Sequence, residues 1–337
     1  MMGNNILIHI GYPKAASTTL QKHLFHKHSQ LFNLGLYPGT NIGIDTEEAH
    51  EASLYEKDPY LRTFYDNLIQ MDSIEYDYND TTVLYSKSVR PYITDQERVR
   101  DRKIVLSNER FASVFYAHKD NGVKAQRLHA FFPEAKIIII LRNQIEWLRS
   151  QYRDRPFDPR CFDTSIPMEF DKWVKMIYWD QSIKQISMLE YDKIIRYYQK
   201  LFGKDRVGVF LFEDLVFEKR KFADDISSFM GISANETYNL LKEAHENKGV
   251  SNRFNTYRTL KEKYISKSFL HKLDHSRINR TIERFLKEKG DKELTMTEEI
   301  RTRLTQKFSK GNLFLKETLA LPVDKYNYPG STDKATS

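Results

Sequence analysis

The chain has 337 residues, of which 40% are hydrophobic and 29% charged, with a formal net charge of +7, a composition typical of a soluble globular protein. No apolar run approaches the roughly 20 residues of a membrane-spanning helix, and the N-terminus lacks the basic and apolar regions of a signal peptide. The single cysteine, Cys161, excludes an intramolecular disulfide, so we expect a cytoplasmic protein without a transmembrane segment.

Short apolar strands alternate with helical patterns along the chain. Strands are predicted at 6–10, 82–85, 103–106, 137–141 and 206–212. Helices are predicted after the first strand, before Pro133, across 168–202 and over 222–230. The continuously apolar run at 137–141 is typical of a parallel strand that is buried on both faces. The alternation predicts an α/β fold, with a mostly parallel central sheet, helices on both faces and a helical C-terminal part.

No repeat, low-complexity tract or clear linker divides the chain. We therefore predict a single domain over residues 1–325, with a candidate helical insertion at about 255–290 and a polar tail over 326–337. Within the helical region 168–202, the apolar spacing predicts that Trp173, Ile177 and Trp179 are core residues.

The stretch GYPKAASTTL (11–20) leads from the first strand into its helix and has the composition of an anion-binding loop. The candidate ligands are Lys14, Ala15, Ala16, Ser17, Thr18 and Thr19. Its small residues let the backbone curl around a phosphate, its hydroxyls and lysine add donors, and the helix start favours negative charge. The alternative is that Ser17 or Thr18 only caps the helix while Lys14 is solvated.

The loop lacks the Gly-Lys-Ser/Thr ending of a nucleoside triphosphatase, in which the hydroxyl after the lysine binds Mg²⁺. Lys14 instead comes three residues before Ser17, and the only glycine, Gly11, precedes both. We therefore predict a nucleotide that is bound through its 5′-phosphate, with no metal ion.

Two further motifs accompany this loop. In IIIILRNQIEWLRSQY (137–152) a strand ends at Arg142 and a helix carries Ser150 eight residues later. The planar guanidinium of an arginine suits a phosphate, so Arg142 is a candidate phosphate ligand. ENKGVSNRF (246–254) contains Lys248 and Gly249.

These motifs resemble those of sulfotransferases that use 3′-phosphoadenosine-5′-phosphosulfate (PAPS). YPKAASTTL is similar to their 5′-phosphosulfate loop, with Ala16 where the family usually has glycine. Arg142 with Ser150, and Lys248 with Gly249, match the elements that hold the 3′-phosphate in that family. The turn in VGVFLFEDL (207–215) is also similar. The resemblance spans roughly residues 6–325 and implies a P-loop-like sulfotransferase architecture.

The resemblance implies transfer of a sulfuryl group from PAPS to a hydroxyl or an amine of an acceptor, which leaves adenosine 3′,5′-bisphosphate (PAP). Lys14 is then expected to stabilise the leaving oxygen. The family uses a Glu or His at a strand end between the two nucleotide motifs as general base, and KIVLSNERF (103–111) has Glu109 there. His118 is the alternative base, and the alternative role for Glu109 is an ion pair with Arg110 or Arg142.

The net positive charge is concentrated at residues 248–289, which hold twelve Lys and Arg against four Asp and Glu. This segment indicates an anionic partner or simply a solvated helix face. Together with the aromatic-rich region 55–92, where Lys87 and Arg90 are candidate acceptor contacts, it favours a carbohydrate acceptor over a small phenol.

Two other functions compete with this interpretation. A kinase-like enzyme that uses a nucleoside triphosphate would share the loop, but the missing Gly-Lys-Ser/Thr argues against it. A non-enzymatic basic protein could bind nucleic acid or an anionic glycan through residues 248–289, but both nucleotide motifs would then have no role. We therefore expect an acceptor substrate and no nucleic-acid partner.

Overall fold

The computed structural model describes residues 5–35, 54–95, 102–112, 120–154, 168–180, 185–244, 257, 279, 281–282 and 294–331. Contacts divide the chain into two compact units, which are described separately. The first comprises Met1–Arg142, Glu190–Glu246 and Leu319–Leu321, and the second comprises Asn143–Leu189, Asn247–Thr318 and Pro322–Ser337. Within the described ranges, no helix combines the length and the apolarity that a bilayer crossing requires.

Parallel strands form one five-stranded sheet in the described part of the first unit. They are β1 (Ile6–His9), β2 (Leu31–Asn33), β3 (Lys103–Ser107), β4 (Lys136–Leu141) and β5 (Val207–Leu211). Their order is β2-β3-β1-β4-β5, so β1 lies between β3 and β4. Ile8 pairs with Leu106 on one side and with Ile137 on the other. The predicted α/β fold with a parallel sheet is confirmed.

Helices make up most of the remaining described chain. They are α1 (Ser17–Thr19, continued by a π-helical segment at Leu20–Phe25), α2 (Leu54–Lys57), α3 (Pro59–Ile69), α4 (Tyr78–Lys87), α5 (Val89–Thr94), α6 (Asn121–Phe131), α7 (Gln144–Asp154), α8 (Phe170–Trp179), α9 (Gln185–Met188), α10 (Tyr191–Phe202), α11 (Phe212–Phe217), α12 (Lys219–Met230), α13 (Ala234–Glu243) and α14 (Glu298–Glu317). Helices α7, α8, α9 and α14 belong to the second unit.

The strand order fixes which helices cover each face of the sheet. After β1 the chain moves to β2, at one edge of the sheet. Each later connection, from β2 to β3, from β3 to β4 and from β4 to β5, moves toward the opposite edge, which β5 forms. Because parallel crossovers are right-handed, opposite directions place the connecting helices on opposite faces. Consistent with this, α10 contacts β4, β5 and α6, while α1 contacts α13, which packs on α12. Both faces are covered, so the apolar residues of β4 are fully buried.

One local prediction in this unit is wrong, and one strand is missed. Residues 82–85 lie in α4 rather than in a strand. The Asp77 side chain caps this helix by accepting hydrogen bonds from two main-chain N–H groups, and Tyr85 packs its ring against Phe64 and Phe131. These tertiary contacts override the β-propensity of the sequence. Strand β2 was not predicted, because a three-residue edge strand gives too short a pattern for periodicity to detect.

The second unit packs its described helices around aromatic side chains. Trp173 and Ile177 of α8 are buried, as the sequence predicts, and Trp173 lies against Tyr152 and Phe170. The prediction that Trp179 is a core residue is wrong, because its side chain is 56% exposed. Arg303 of α14 lies over its ring at 4.6 Å instead.

The C-terminal segment of the described chain is also packed within the second unit. Asn143 caps α7 by accepting from the N–H of Ile145, and its side-chain amide donates to the carbonyls of Tyr326 and Asn327. Tyr328 and Ser331 are buried. The packed chain therefore extends past residue 325, where the sequence predicts that the domain ends.

Candidate functional site

The carboxyl ends of β1, β3 and β4 meet at the middle of the sheet. His9 at the end of β1 pairs with Ser107 at the end of β3, while β4 continues to Leu141. The helix that follows β1 lies on the opposite face of the sheet from α6, which follows β3, and from α10, which precedes β5. In open parallel sheets, ligands bind at such a reversal, beyond the carboxyl ends of the strands. The segments that follow these three strands are therefore the candidate functional site.

The loop after β1 has an unusual backbone. Gly11 has a φ of 57°, and Lys14 and Ala16 both have a φ of 64°. The left-handed conformation costs a residue with a Cβ about 1–2 kcal/mol. Glycine adopts this conformation without that cost, so Ala16 is a strained residue at this position. Backbone strain of this kind is found mainly at functional sites, where surrounding contacts hold the strained geometry.

The start of α1 has no side-chain cap. Its N-cap residue is Ala16, which has no capping side chain, while the Ser17 hydroxyl donates to the carbonyl of Tyr12 at 3.2 Å. The alternative reading, in which Ser17 or Thr18 only caps the helix, is therefore wrong. Ala15 and Ser17 are buried, whereas Thr18 and Thr19 are half-buried.

Arg142 connects the loop to the end of β4. It directly follows β4, and its Nη1 donates to the main-chain carbonyl oxygen of Lys14 at 2.8 Å. Its guanidinium also lies over the ring of Phe212, the first residue after β5, at 4.5 Å. A half-buried arginine with a stacked, hydrogen-bonded guanidinium is held in one orientation, as bidentate recognition of a carboxylate or phosphate requires.

Two buried tyrosines, Tyr191 and Tyr12, connect Arg142 to the loop after β1. The Tyr191 hydroxyl donates to the carbonyl oxygen of Arg142 at 2.7 Å, and its ring packs edge-on against Tyr12 of the loop. Burial raises the pKa of both tyrosines above the ordinary value, and the charge of Glu213 raises that of Tyr191 further. Both hydroxyls therefore stay protonated at neutral pH, and Tyr191 remains a hydrogen-bond donor.

Glu109 lies in a short 3₁₀ turn, Glu109–Phe111, directly beyond β3. The buried Asn108 caps this turn by accepting from the N–H of Arg110 at 3.0 Å. Gly11 is so close that a Cβ built on it would lie 2.9 Å from the Cα of Glu109. The structure thus brings the half-buried Glu109 against the first residue of the candidate anion loop. Arg110 lies 4.0 Å from Asp66.

A buried polar group lies beneath the loop. The His9 Nδ1 is 2.8 Å from the hydroxyl of Ser107, which also accepts from the amide of Gln21 in the π-helical segment at 2.9 Å. The histidine is fully buried, which lowers its pKa to about 3, so it is neutral at neutral pH. His9 is therefore a core residue, as the sequence predicts. The sequence does not predict that Ser107 connects His9 to Gln21, because this contact depends on the register between β1 and β3.

The remaining candidate residues are placed differently. Ser150 is half-buried on α7, in the second unit. Lys248, Gly249 and the alternative base His118 lie outside the described residues, as does Cys161. Among the described side chains, no group of three or more His, Cys, Asp or Glu could hold a metal ion.

The sequence matches no protein-family model and no curated protein. Among solved structures, a sulfotransferase from Alicyclobacillus acidocaldarius covers 95% of this chain and 98% of its own, at 16% identity and a TM-score of 0.46. The sulfotransferase domain of the Synechococcus PCC 7002 olefin synthase covers 90% and 93%, at 17% identity and a TM-score of 0.42. The sulfotransferase domain of the curacin biosynthetic pathway covers 91% and 97%, also at 17% and 0.42. These identities and TM-scores are low, so the residues of the site carry the functional proposal.

Proposed function

We propose that this protein is a PAPS-dependent sulfotransferase, which transfers a sulfuryl group to a hydroxyl or an amine of an acceptor. The observation that carries the proposal is the hydrogen bond from Arg142 to the carbonyl oxygen of Lys14. It joins the two sequence elements that resemble the 5′-phosphosulfate and 3′-phosphate motifs of the family. A triphosphatase would need the first motif with a metal-binding hydroxyl, and it would have no use for the second.

The described residues fit such a donor. The left-handed backbone at Lys14 and Ala16 and the uncapped start of α1 favour an anion at the loop. The hydroxyls of Ser17, Thr18 and Thr19 add donors beside Lys14. The proposed 3′-phosphate ligands are Arg142 and Ser150, together with Lys248 and Gly249, which lie outside the described residues. When bound, PAPS would supply an activated sulfuryl group whose leaving group is a phosphate.

Two residues are proposed to act in the reaction. Lys14 would stabilise the negative charge that develops on the leaving oxygen, because a fixed cation aimed at developing charge lowers the barrier. Glu109 would accept the proton of the acceptor, a role worth about 10²–10⁴-fold in rate. The closeness of Glu109 to Gly11 supports this role, because Glu109 lies beside the loop that is proposed to hold the donor.

The acceptor is proposed to be a carbohydrate, in a cytoplasmic setting. The support comes from composition: the basic residues 248–289 suit an anionic glycan, and the region 55–92 is rich in aromatic residues, of which Tyr60 and Tyr78 are exposed. A screen of glycans, lipids and phenols with labelled PAPS would identify it. Labelling of phenols in preference to glycans would contradict this part of the proposal.

The donor is tested by thermal stabilisation. PAP at a hundredfold excess over its dissociation constant should stabilise the wild type by about 2.7 kcal/mol, with or without EDTA, while ATP should not. Lys14→Ala and Arg142→Ala should remove the stabilisation. Glu109→Ala should keep it and lose turnover with labelled PAPS. The exposed Lys200→Ala is the matched charge control and should change neither. Stabilisation by Mg-ATP but not by PAP would favour the kinase-like alternative.

A further inference from the structure

Helix α6 carries a lysine in an unusual environment. Lys124 lies in the first turn of the helix and is 0% exposed. Lysine is almost never fully buried unless it has partners, because removing the ammonium group from water is costly. This burial lowers the pKa of Lys124 to about 8. A methionine would fill a similar volume without this desolvation cost. The hydrogen-bond partners of the ammonium group must therefore be the reason that a lysine occupies this buried position.

One of those partners belongs to the turn that carries Glu109. The Nζ of Lys124 donates to the carbonyl oxygen of Arg110 at 2.9 Å and to the Oδ1 of Asn121 at 3.2 Å. Asn121 in turn donates from its Nδ2 to the carbonyl oxygen of Ala112 at 3.0 Å. Two side chains of one helix turn thus hold the main chain on either side of Phe111.

The opposite side of the same turn is bound to β1. The N–H of Asn108 donates to the carbonyl of His9, and the N–H of Ala112 donates to the carbonyl of Ile10, both at 3.2 Å. The turn is therefore fixed from both sides, with Glu109 between the two sets of bonds. Small shifts in such a turn would move the carboxylate relative to the loop at Gly11.

We propose that Lys124 is a positioning residue, which together with Asn121 holds the Glu109 turn so that the carboxylate faces the reacting acceptor group. The proposal rests on the proposed function, since it assigns Lys124 a role through the general base of that reaction. Lys124 acts on catalysis only through the main chain of residues 109–112. A charge-assisted hydrogen bond is stronger than a neutral one, which is the reason for an ammonium group at this position.

The competing explanation is that Lys124 only anchors α6, and a matched residue separates the two. Arg127 is a second buried cation on the same helix, and its Nη1 donates to the carbonyls of Asn67 at 3.0 Å and Met71 at 2.8 Å. It anchors α6 to the end of α3 without contacting the Glu109 turn through these bonds. Arg127→Met therefore serves as the control for loss of a buried cation.

The experiment measures kcat and the KM for PAPS with the full chain. Lys124→Met should lower kcat by about 10–100-fold, because an ångström-scale displacement of a catalytic group can cost about a hundredfold. The KM for PAPS and the thermal shift with PAP should not change. Lys124→Gln, which keeps an N–H donor, should recover part of the lost kcat. Arg127→Met should lower stability while its kcat stays at the wild-type value.

A double-mutant cycle then tests whether Lys124 acts through Glu109. In the Glu109→Gln background, Lys124→Met should have no further effect on kcat, because the group that it positions is already gone. An equal loss in both backgrounds, or a wild-type kcat for Lys124→Met, would overturn the positioning role. If Lys124→Met does not fold, as judged by its urea transition, Lys124→Gln is carried through the same cycle. A wild type with neither sulfuryl transfer nor a PAP shift would instead refute the proposed function, and this inference with it.

Discussion

The guanidinium of Arg142 donates a hydrogen bond to the main-chain carbonyl oxygen of Lys14, at 2.8 Å, across a sequence separation of 128 residues. Arg142 follows β4 and Lys14 follows β1, and these strands are neighbours in the sheet. The contact joins the two motifs whose separate resemblances suggest the same nucleotide. Five experiments test the consequences of this and related contacts.

The first prediction concerns the shape of the Arg142 side chain. Arg142→Lys keeps the positive charge but loses the planar fork that bonds Lys14 and stacks on Phe212. We expect PAP affinity to fall at least about tenfold, or about 1.4 kcal/mol, as measured by calorimetry. Arg220→Lys is the control, because Arg220 is an exposed arginine that pairs with Asp224 on α12. Unchanged affinity for Arg142→Lys would show that charge alone is sufficient.

The second prediction concerns backbone strain in the loop. Ala16→Gly should raise the free energy of unfolding by about 0.5–1 kcal/mol, because glycine relieves the left-handed φ but loses more entropy on folding. Ala15→Gly should instead destabilise by about 1 kcal/mol, because Ala15 is buried and does not have a positive φ. Urea denaturation of both variants provides the comparison. A loss of stability in both would mean that Ala16 is not strained.

The third prediction concerns the closeness of Gly11 to Glu109. A Cβ at residue 11 would lie 2.9 Å from the Cα of Glu109, so Gly11→Ala should displace the turn and lower kcat for sulfuryl transfer at least about tenfold. Gly203→Ala is the matched control, since Gly203 also has a positive φ of 91° but has open space around a Cβ. Both variants should lose stability, by about 1–2 kcal/mol at Gly11 and about 1–3 kcal/mol at Gly203, whose ψ of 147° lies outside the left-handed helical region. Equal kcat in the two variants would contradict the prediction.

The fourth prediction concerns acid stability. Burial lowers the pKa of His9 from 6.5 to about 3, so between these values the unfolded chain binds a proton that the folded chain does not. The free energy of unfolding therefore decreases as the pH falls below 6.5, because the unfolded chain takes up this proton and the folded chain does not. Relative to His9→Gln, the wild type should lose about 2 kcal/mol in free energy of unfolding between pH 7 and pH 5. Urea denaturation at both pH values measures this difference. A constant difference between the two proteins would mean that the pKa of His9 is the same in the folded and the unfolded chain.

The fifth prediction compares two tryptophans on one helix. Trp173→Ala should cost about 3–5 kcal/mol, because Trp173 is 1% exposed and packs against other rings. Trp179→Ala should cost about 1 kcal/mol or less, because Trp179 is 56% exposed and mainly stacks on Arg303. Thermal unfolding separates the two outcomes. Similar losses would indicate that Trp179 is buried after all.

Local patterns predicted the parts of the fold that local physics controls. Strands β1, β3, β4 and β5 were predicted within one or two residues at each end, because a short apolar run that changes into a helical pattern has few other interpretations. The errors occurred where distant contacts dominate. Tyr85 belongs to a helix that packs on Phe131, and Trp179 lies at a helix end that faces solvent. Neither outcome is encoded in the spacing of nearby residues.

For the candidate site, the sequence by itself determined which chemical groups are present. It supplied a loop of small and hydroxyl residues with Lys14, an arginine at the end of a buried strand, and Glu109 at the end of another. Only the tertiary structure decided that Lys14 contacts Arg142, that Gly11 lies against Glu109 and that Lys124 holds the Glu109 turn. The physical reason is the strand order. With β1 between β3 and β4, segments far apart in the chain meet at one edge of the sheet, and no local pattern specifies that order.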